Sequence, residues 1–167
     1  MNKIELIKTE RDGLKIKDDI HRFAKEGWES ISEEDIQRLK WYGLFLRNPT
    51  PGYFMLRVRI PNGFSFSHQV KALSLIAETY GNGLIDITTR QQVQLRHLKI
   101  ESIPQVFQLL EEVGLTSSQT GMDNVRNIMG CPVAGLNPKE KVDAYSLVKA
   151  LNEHIIGNPE FSNLPRK

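Results

Sequence analysis

The sequence predicts an α+β fold in which helices cover one face of an antiparallel sheet. Two observations carry this. Tyr53–Ile60 alternates strictly, with Phe54, Leu56, Val58 and Ile60 on one face and Tyr53, Met55, Arg57 and Arg59 on the other. A period of two marks a strand with one buried side. The segments after it fall in the order helix, strand, strand, helix, so Tyr53–Gly114 reads β-α-β-β-α, most of a split βαβ unit.

Taken in order, residues 1–14 form a charged lead-in. Lys15–Glu26 places Ile16, Ile20, Phe23 and Ala24 at helical spacing and stops at Gly27. Ser32 is positioned as an N-cap, with Glu33, Glu34 and Asp35 in the first turn, where the helix dipole favours acids. That helix runs to about Tyr42. Leu44–Arg47 suits a short strand, and Asn48–Gly52 a turn. Pro61-Asn62-Gly63 ends the alternating strand. Ser67–Tyr80 is a helix with Val70, Leu73, Ile76, Ala77 and Tyr80 inward, closed by Gly81. Leu84–Thr89 is a strand with Ile85 and Ile87 on its apolar face. Gln91–Leu98 is another, with Val93 and Leu95 opposite Gln92, Gln94 and Arg96. Ser102 caps a helix whose inward set is Val106, Phe107, Leu109, Leu110 and Val113.

Gly114–Leu136 has neither period. Loops of this length within a domain are usually functional or disordered, and Met122, Val125, Ile128, Met129 and Val133 offer apolar anchors against disorder. The reading is an ordered loop presenting Arg126 to an anion. After it, Asn137-Pro138-Lys139-Glu140 has the composition of a helix start. That helix is expected to reach Ile155 with Val142, Tyr145, Val148, Leu151 and Ile155 inward, before an irregular tail.

The totals exclude more than they select. A net charge of +2 over 167 residues demands neither nucleic acid nor an acidic membrane. The single cysteine, Cys131, allows no internal disulfide and cannot alone hold an iron–sulfur cluster. No run approaches the ~20 apolar residues of a membrane span, and the N-terminus has no signal-peptide core, so a cytoplasmic setting is expected. His21, His68, His97 and His154 have no metal-ligand spacing. An RNA-binding sheet needs stacking aromatics, and only Tyr53 is available.

The polar sheet face gathers Arg57, Arg59, Asp86, Thr88, Gln92, Gln94 and Arg96. Antiparallel sheets often leave one face in water, but this one carries Arg and Gln without Lys or Glu. Guanidinium forks grip carboxylates bidentately, so the face suits a ligand bearing several carboxylates. A lone loop arginine such as Arg126 is usually structural, tying down backbone carbonyls, and the flanking Asn124 and Asn127 suit turns as well as ligand contacts. Arg166 and Lys167 follow the stiffening Leu164-Pro165 pair.

The runs FMLRVRIPNG (Phe54–Gly63), DITTRQQVQLR (Asp86–Arg96), GLTSSQTGMDNVRN (Gly114–Asn127), Gly130, Pro132, Ala134–Leu136 and NLPRK (Asn163–Lys167), in this order and spacing, resemble the assimilatory nitrite and sulfite reductases. RNPTPG (Arg47–Gly52) and GMDNVRN favour the ferredoxin-dependent nitrite reductases over the sulfite reductases. The resemblance implies a ferredoxin-like half domain over 53–114, a helical extension over 1–52, and the start of a sirohaem and iron–sulfur domain over 115–167. It implies six-electron reduction of nitrite to ammonium with electrons from reduced ferredoxin, at sirohaem sharing a thiolate with a [4Fe–4S] cluster, in the cytoplasm or the plastid stroma. Carried over by position, Arg57, Arg126 and Lys167 match substrate-pocket residues, while Arg90, Gln94, Arg96, Asn124 and Arg166 match positions near the macrocycle. The family's four cluster cysteines lie beyond the LPRK motif, and Cys131 matches none of them. The expectation is therefore an N-terminal half that needs its C-terminal half for activity. A sulfite reductase half and a non-catalytic tetrapyrrole- or anion-binding module are the alternatives.

Overall fold

The alternating run is a strand, β2 (Thr50–Val58), in a computed structural model of the protein that describes residues 2–165. With β1 (Leu44–Arg47), β3 (Ile85–Ile87) and β4 (Val93–Lys99) it forms one sheet in the order β1-β2-β4-β3, every neighbour antiparallel. The β-α-β-β-α order holds, with β1 occupying the remaining edge through a hairpin. Its turn is Asn48-Pro49 alone, shorter than expected, because pairing of Arg47 with Thr50 resumes at once.

Register decides which side chains meet. Leu56, Leu95 and Ile85 lie in one row across three strands, and Arg57, Gln94 and Asp86 in the next, on the opposite face. Helices α4 (Ser67–Tyr80) and α5 (Ile103–Glu112) cover the apolar face, burying Leu73, Ile76 and Ala77 from one and Val106 and Leu110 from the other against Leu56, Val58, Leu95 and Leu98. A second part of the core belongs to α2 (Ile20–Glu26), with Phe23 and Ile20 packed beside Ile16, Ile100 and Ile103. The outer strand is left largely uncovered: Ile87 is 82% exposed and Ile85 is exposed, contrary to the inward placement their alternation predicts. Val70, expected inward on α4, is exposed as well.

Local differences have local causes. The lead-in contains a helix, α1 (Lys3–Glu10), capped by Asn2 and buried only through Ile7 and Lys8. The Lys15–Glu26 segment opens as a 3-10 turn over Gly13–Asp19 before α2. Ser102 does not cap α5; its hydroxyl donates to the Lys99 carbonyl. Helix α6 spans Tyr145–Ile155 and does not begin at Asn137. There the Asn137 side chain accepts from the Lys139 N–H and the Glu140 carboxylate turns back onto the Gly135 N–H. Val142 is 73% exposed, so no buried face supports a first turn at that point.

Ser32 does cap α3 (Glu33–Leu39), its hydroxyl accepting from Asp35 N–H at 3.1 Å. Ser32→Ala is expected to cost about 1 kcal/mol in denaturant unfolding. An unchanged midpoint and slope would show that cap to be dispensable.

Candidate functional site

The long loop returns across the polar face of the sheet, and hydrogen bonds hold it there. Arg59, the residue after β2, pairs through its backbone with Thr116. Gln119 N–H donates to the Trp41 carbonyl at 2.6 Å. Asn127 Nδ2 donates to the carbonyls of Ile60 and Arg90 at 2.7 and 2.9 Å, joining the loop to the end of β2 and to the turn before β4. Gln91 exchanges two bonds with the Gly130 backbone. Of the expected apolar anchors, Met129 and Val133 are exposed; buried Ser117, Ser118, Gln119, Thr120 and Asn127 order the segment in their place.

The result is two adjoining cavities that share Arg57 and Arg126. The smaller, about 220 Å³, is lined also by Thr88, Arg90, Gln92 and Gln94, and no carboxylate among the described residues lines it. The larger, about 570 Å³, adds Lys40, Phe45, Gly121, Asp123, Asn124 and Pro165. Its one acid among the described residues, Asp123, is engaged by Lys8 Nζ at 3.2 Å, which also donates to the Leu164 carbonyl.

Arg57 is the hinge between the two. Its Nη1 donates to the Thr120 carbonyl at 3.2 Å, its guanidinium lies 4.9 Å from the centroid of the Phe45 ring, and its Nε is buried without a partner. Burial, then the nearby charges of Arg126 and Arg90, lower its pKa below the ordinary arginine value. Three cations thus face one space with no carboxylate among the described residues that line it. Arg126 and Arg90 are exposed, and no hydrogen bond of either guanidinium occurs among the described residues. Such a set is poised for an anion.

Of the residues singled out in the sequence, Arg57, Arg90, Gln94, Asn124 and Arg126 are brought together. Arg96 is not free to join them, because it is ion-paired with Asp86 across the sheet and also donates to Gln94. Arg59 leaves the polar floor altogether and is 1% exposed. Arg166 and Lys167 lie outside the described residues. Asn124 Nδ2 closes a turn on the Gly121 carbonyl at 2.6 Å, while its buried Oδ1 has no partner. Phe45, beneath Arg57, was not singled out; its only signal is a position diagonal to Arg57 in the β1–β2 hairpin.

Two family models match this chain. One, the nitrite/sulfite reductase ferredoxin-like half domain, covers residues 47–113, and the other, the nitrite and sulphite reductase 4Fe-4S domain, covers 121–167. The chain belongs to the nitrite and sulfite reductase family. It is 51% identical over 173 residues to a ferredoxin–nitrite reductase of Synechococcus elongatus and 49% identical to one of Leptolyngbya laminosa, covering all of this chain and 34% of each relative. The solved structure of the Mycobacterium tuberculosis NirA protein superposes with a TM-score of 0.92 at 29% identity, over 99% of this chain and 34% of that one. The chain therefore spans about a third of the length of the relatives it matches.

An iron–sulfur cofactor goes with the second family model. Among the described residues no group of three or more His, Cys, Asp and Glu could hold a metal ion, and Cys131 is free and exposed. A carboxylate-rich macrocycle is a different matter. Uncompensated guanidiniums, the partnerless Arg57 Nε and the amides of Gln94 and Asn124 supply the donors that such a group requires.

Proposed function

We propose that this chain forms the cationic wall of the active site of a ferredoxin–nitrite reductase, which reduces nitrite to ammonium by six electrons. The observation carrying this is the convergence of Arg57, Arg90 and Arg126 on adjoining cavities, with no carboxylate among the described residues on the side where all three meet. In this reading residues 53–114 are the body of the ferredoxin-like half domain, 1–52 an extension that is helical up to Tyr42 and then gives β1 and the start of β2 to the same sheet, and 115–167 the first part of the domain holding sirohaem and the [4Fe–4S] cluster. Reduced ferredoxin is the donor. The setting is cytoplasmic, or stromal for a plastid enzyme; the Arabidopsis thaliana relative is described as chloroplastic.

Sirohaem would supply the redox chemistry when bound, and Arg90, Gln94 and Asn124 would hold its carboxylates; Arg96, paired with Asp86, steadies Gln94 beside them, and Arg166 is assigned to the macrocycle by the family resemblance alone. Arg57 and Arg126, which line both cavities, would hold nitrite beside the macrocycle as well as border it, and Lys167 is assigned to nitrite by the family resemblance alone. The family's own residues have three tasks. Their charges concentrate an anion near the reacting centre. Their N–H groups donate to the nitrite oxygens and stabilise negative charge as it grows there. Arg57, partly buried and with its Nε unpartnered among the described residues, would offer that donation from a desolvated position.

The test uses uroporphyrin, a porphyrin with carboxylates on every pyrrole, titrated into the 167-residue chain and followed by its fluorescence and visible spectrum. Binding is expected at low salt. It should weaken at least tenfold between about 0.01 M and about 1 M ionic strength, as the Debye length falls from about 30 Å to about 3 Å. No binding at low salt, or binding indifferent to salt, removes the anion-binding wall from the proposal.

A further inference from the structure

Arg59 is the most deeply buried cation among the described residues, yet none of its partners is a carboxylate. Its Nη2 donates to the carbonyls of Gln119 and Val125 at 2.8 and 2.7 Å. Its Nη1 donates to the Arg126 carbonyl at 3.0 Å and to Asn152 Oδ1 on α6 at 3.2 Å, and its Nε reaches the Ser118 carbonyl at 3.4 Å. One guanidinium therefore ties residues 118–119, residues 125–126 and α6 into a single knot. Burial drives its pKa down to about 10. A buried charge without a counter-ion is costly, and an apolar side chain of similar volume would fill the space at less expense. What an apolar residue cannot do is span several carbonyls with one planar fork.

We infer that Arg59 is the positioning residue for Arg126: it fixes the backbone of residues 125–126 so that the Arg126 side chain projects toward Arg57. The Arg126 guanidinium makes no hydrogen bond among the described residues, so its direction is inherited from its own main chain, and the Arg126 carbonyl is held by Arg59. Asn127 does the corresponding work on the other side, where it clasps the Arg90 carbonyl. The inference rests on the proposal that Arg57, Arg90 and Arg126 hold an anion, and it adds a residue that touches no ligand.

A double-mutant cycle separates this role from that of a general fold staple. Arg59→Lys keeps the charge and loses the fork, and Arg126→Ala removes the group being positioned. In the uroporphyrin titration each is expected to weaken binding about tenfold, the scale of one lost charge-assisted contact. The double variant should be no worse than Arg126→Ala alone. Losses that multiply, or an Arg59→Lys dissociation constant equal to that of the unaltered chain, overturn the inference. Hydrogen exchange at the Gln119 and Val125 amides, which donate to the Trp41 and Phe161 carbonyls, gives a second reading that needs no ligand. It should quicken at least tenfold in Arg59→Lys while the α4 amides keep their rates, and unchanged exchange overturns the inference whatever the porphyrin does. If the unaltered chain fails to bind, the anion-site proposal falls while the exchange result still decides the role of Arg59. Should Arg59→Lys not fold, Asn152→Ala withdraws one acceptor from the same guanidinium. It must then weaken binding in the Arg126 background and not in the Arg126→Ala background, or the inference fails.

Discussion

Arg57→Gln is expected to weaken uroporphyrin binding by about 10- to 100-fold, the largest loss of any single substitution at the site. The figure follows from removing one charge-assisted, partly desolvated donor set, about 1.5–3 kcal/mol. Arg57 earns the larger share because it lines both cavities and is partly buried, whereas Arg90 and Arg126 are exposed. Its orientation is set in advance by the Phe45 ring and the Thr120 carbonyl, so little rotamer freedom is lost on binding. The fold should tolerate the change. The folded state already disfavours this charge, through burial first and then through Arg126 and Arg90, and glutamine keeps the polar reach. Thermal unfolding should shift by only a few degrees, the scale of about 1 kcal/mol. Arg57→Lys should fall between the two, because ammonium keeps the charge and lacks the bidentate geometry. Equal affinities for the arginine, lysine and glutamine forms would show that Arg57 contributes nothing to the anion site.

The parts of this architecture legible in the sequence are those governed by period. Alternation over Tyr53–Ile60 located β2, and the spacing of Leu73, Ile76 and Ala77 placed α4 with both ends correct. The arginine and glutamine content of the polar face pointed to an anion before any geometry was known. What the period could not tell was where the strand ends. Arg59 shares a face with Arg57 by alternation, but pairing with β4 stops at Val58, and the chain there turns to meet Thr116. The loop then folds over Arg59, and a residue expected on the ligand floor becomes the loop's own support. The carbonyl-tying role that suited Arg126 on sequence grounds belongs to Arg59. Helix α1 was illegible for a similar reason: its hold on the molecule is a buried lysine reaching Asp123 and the Leu164 carbonyl, contacts across more than a hundred residues that no local pattern records. The α6 start was misplaced because Asn137 and Glu140 have cap-forming chemistry but spend it on the adjacent turn.

Gly121→Ala is expected to destabilise the fold, and to lower porphyrin affinity with it. A Cβ at this position would lie 2.3 Å from the Lys40 carbonyl oxygen and 2.7 Å from Cζ of Phe45. Neither can retreat at low cost. Lys40 is in the 3-10 turn that continues α3 and precedes the fully buried Trp41, and the Trp41 carbonyl holds Gln119 N–H. Phe45 is held in the β1–β2 hairpin and supports Arg57. The loop itself must therefore shift, straining the Gln119 bond and the Asn124 bond to the Gly121 carbonyl. Overpacking of this kind costs about 1–3 kcal/mol, and each buried polar group left unpaired adds about 1–3 kcal/mol. A loss of at least about 2 kcal/mol in denaturant unfolding should appear together with weaker porphyrin binding, because the same displacement moves Phe45 and hence Arg57. Separating the two readouts locates the strain: lost stability with undiminished binding means that the loop yields away from the cavity, and unchanged values of both contradict the close packing of Gly121 against Lys40 and Phe45.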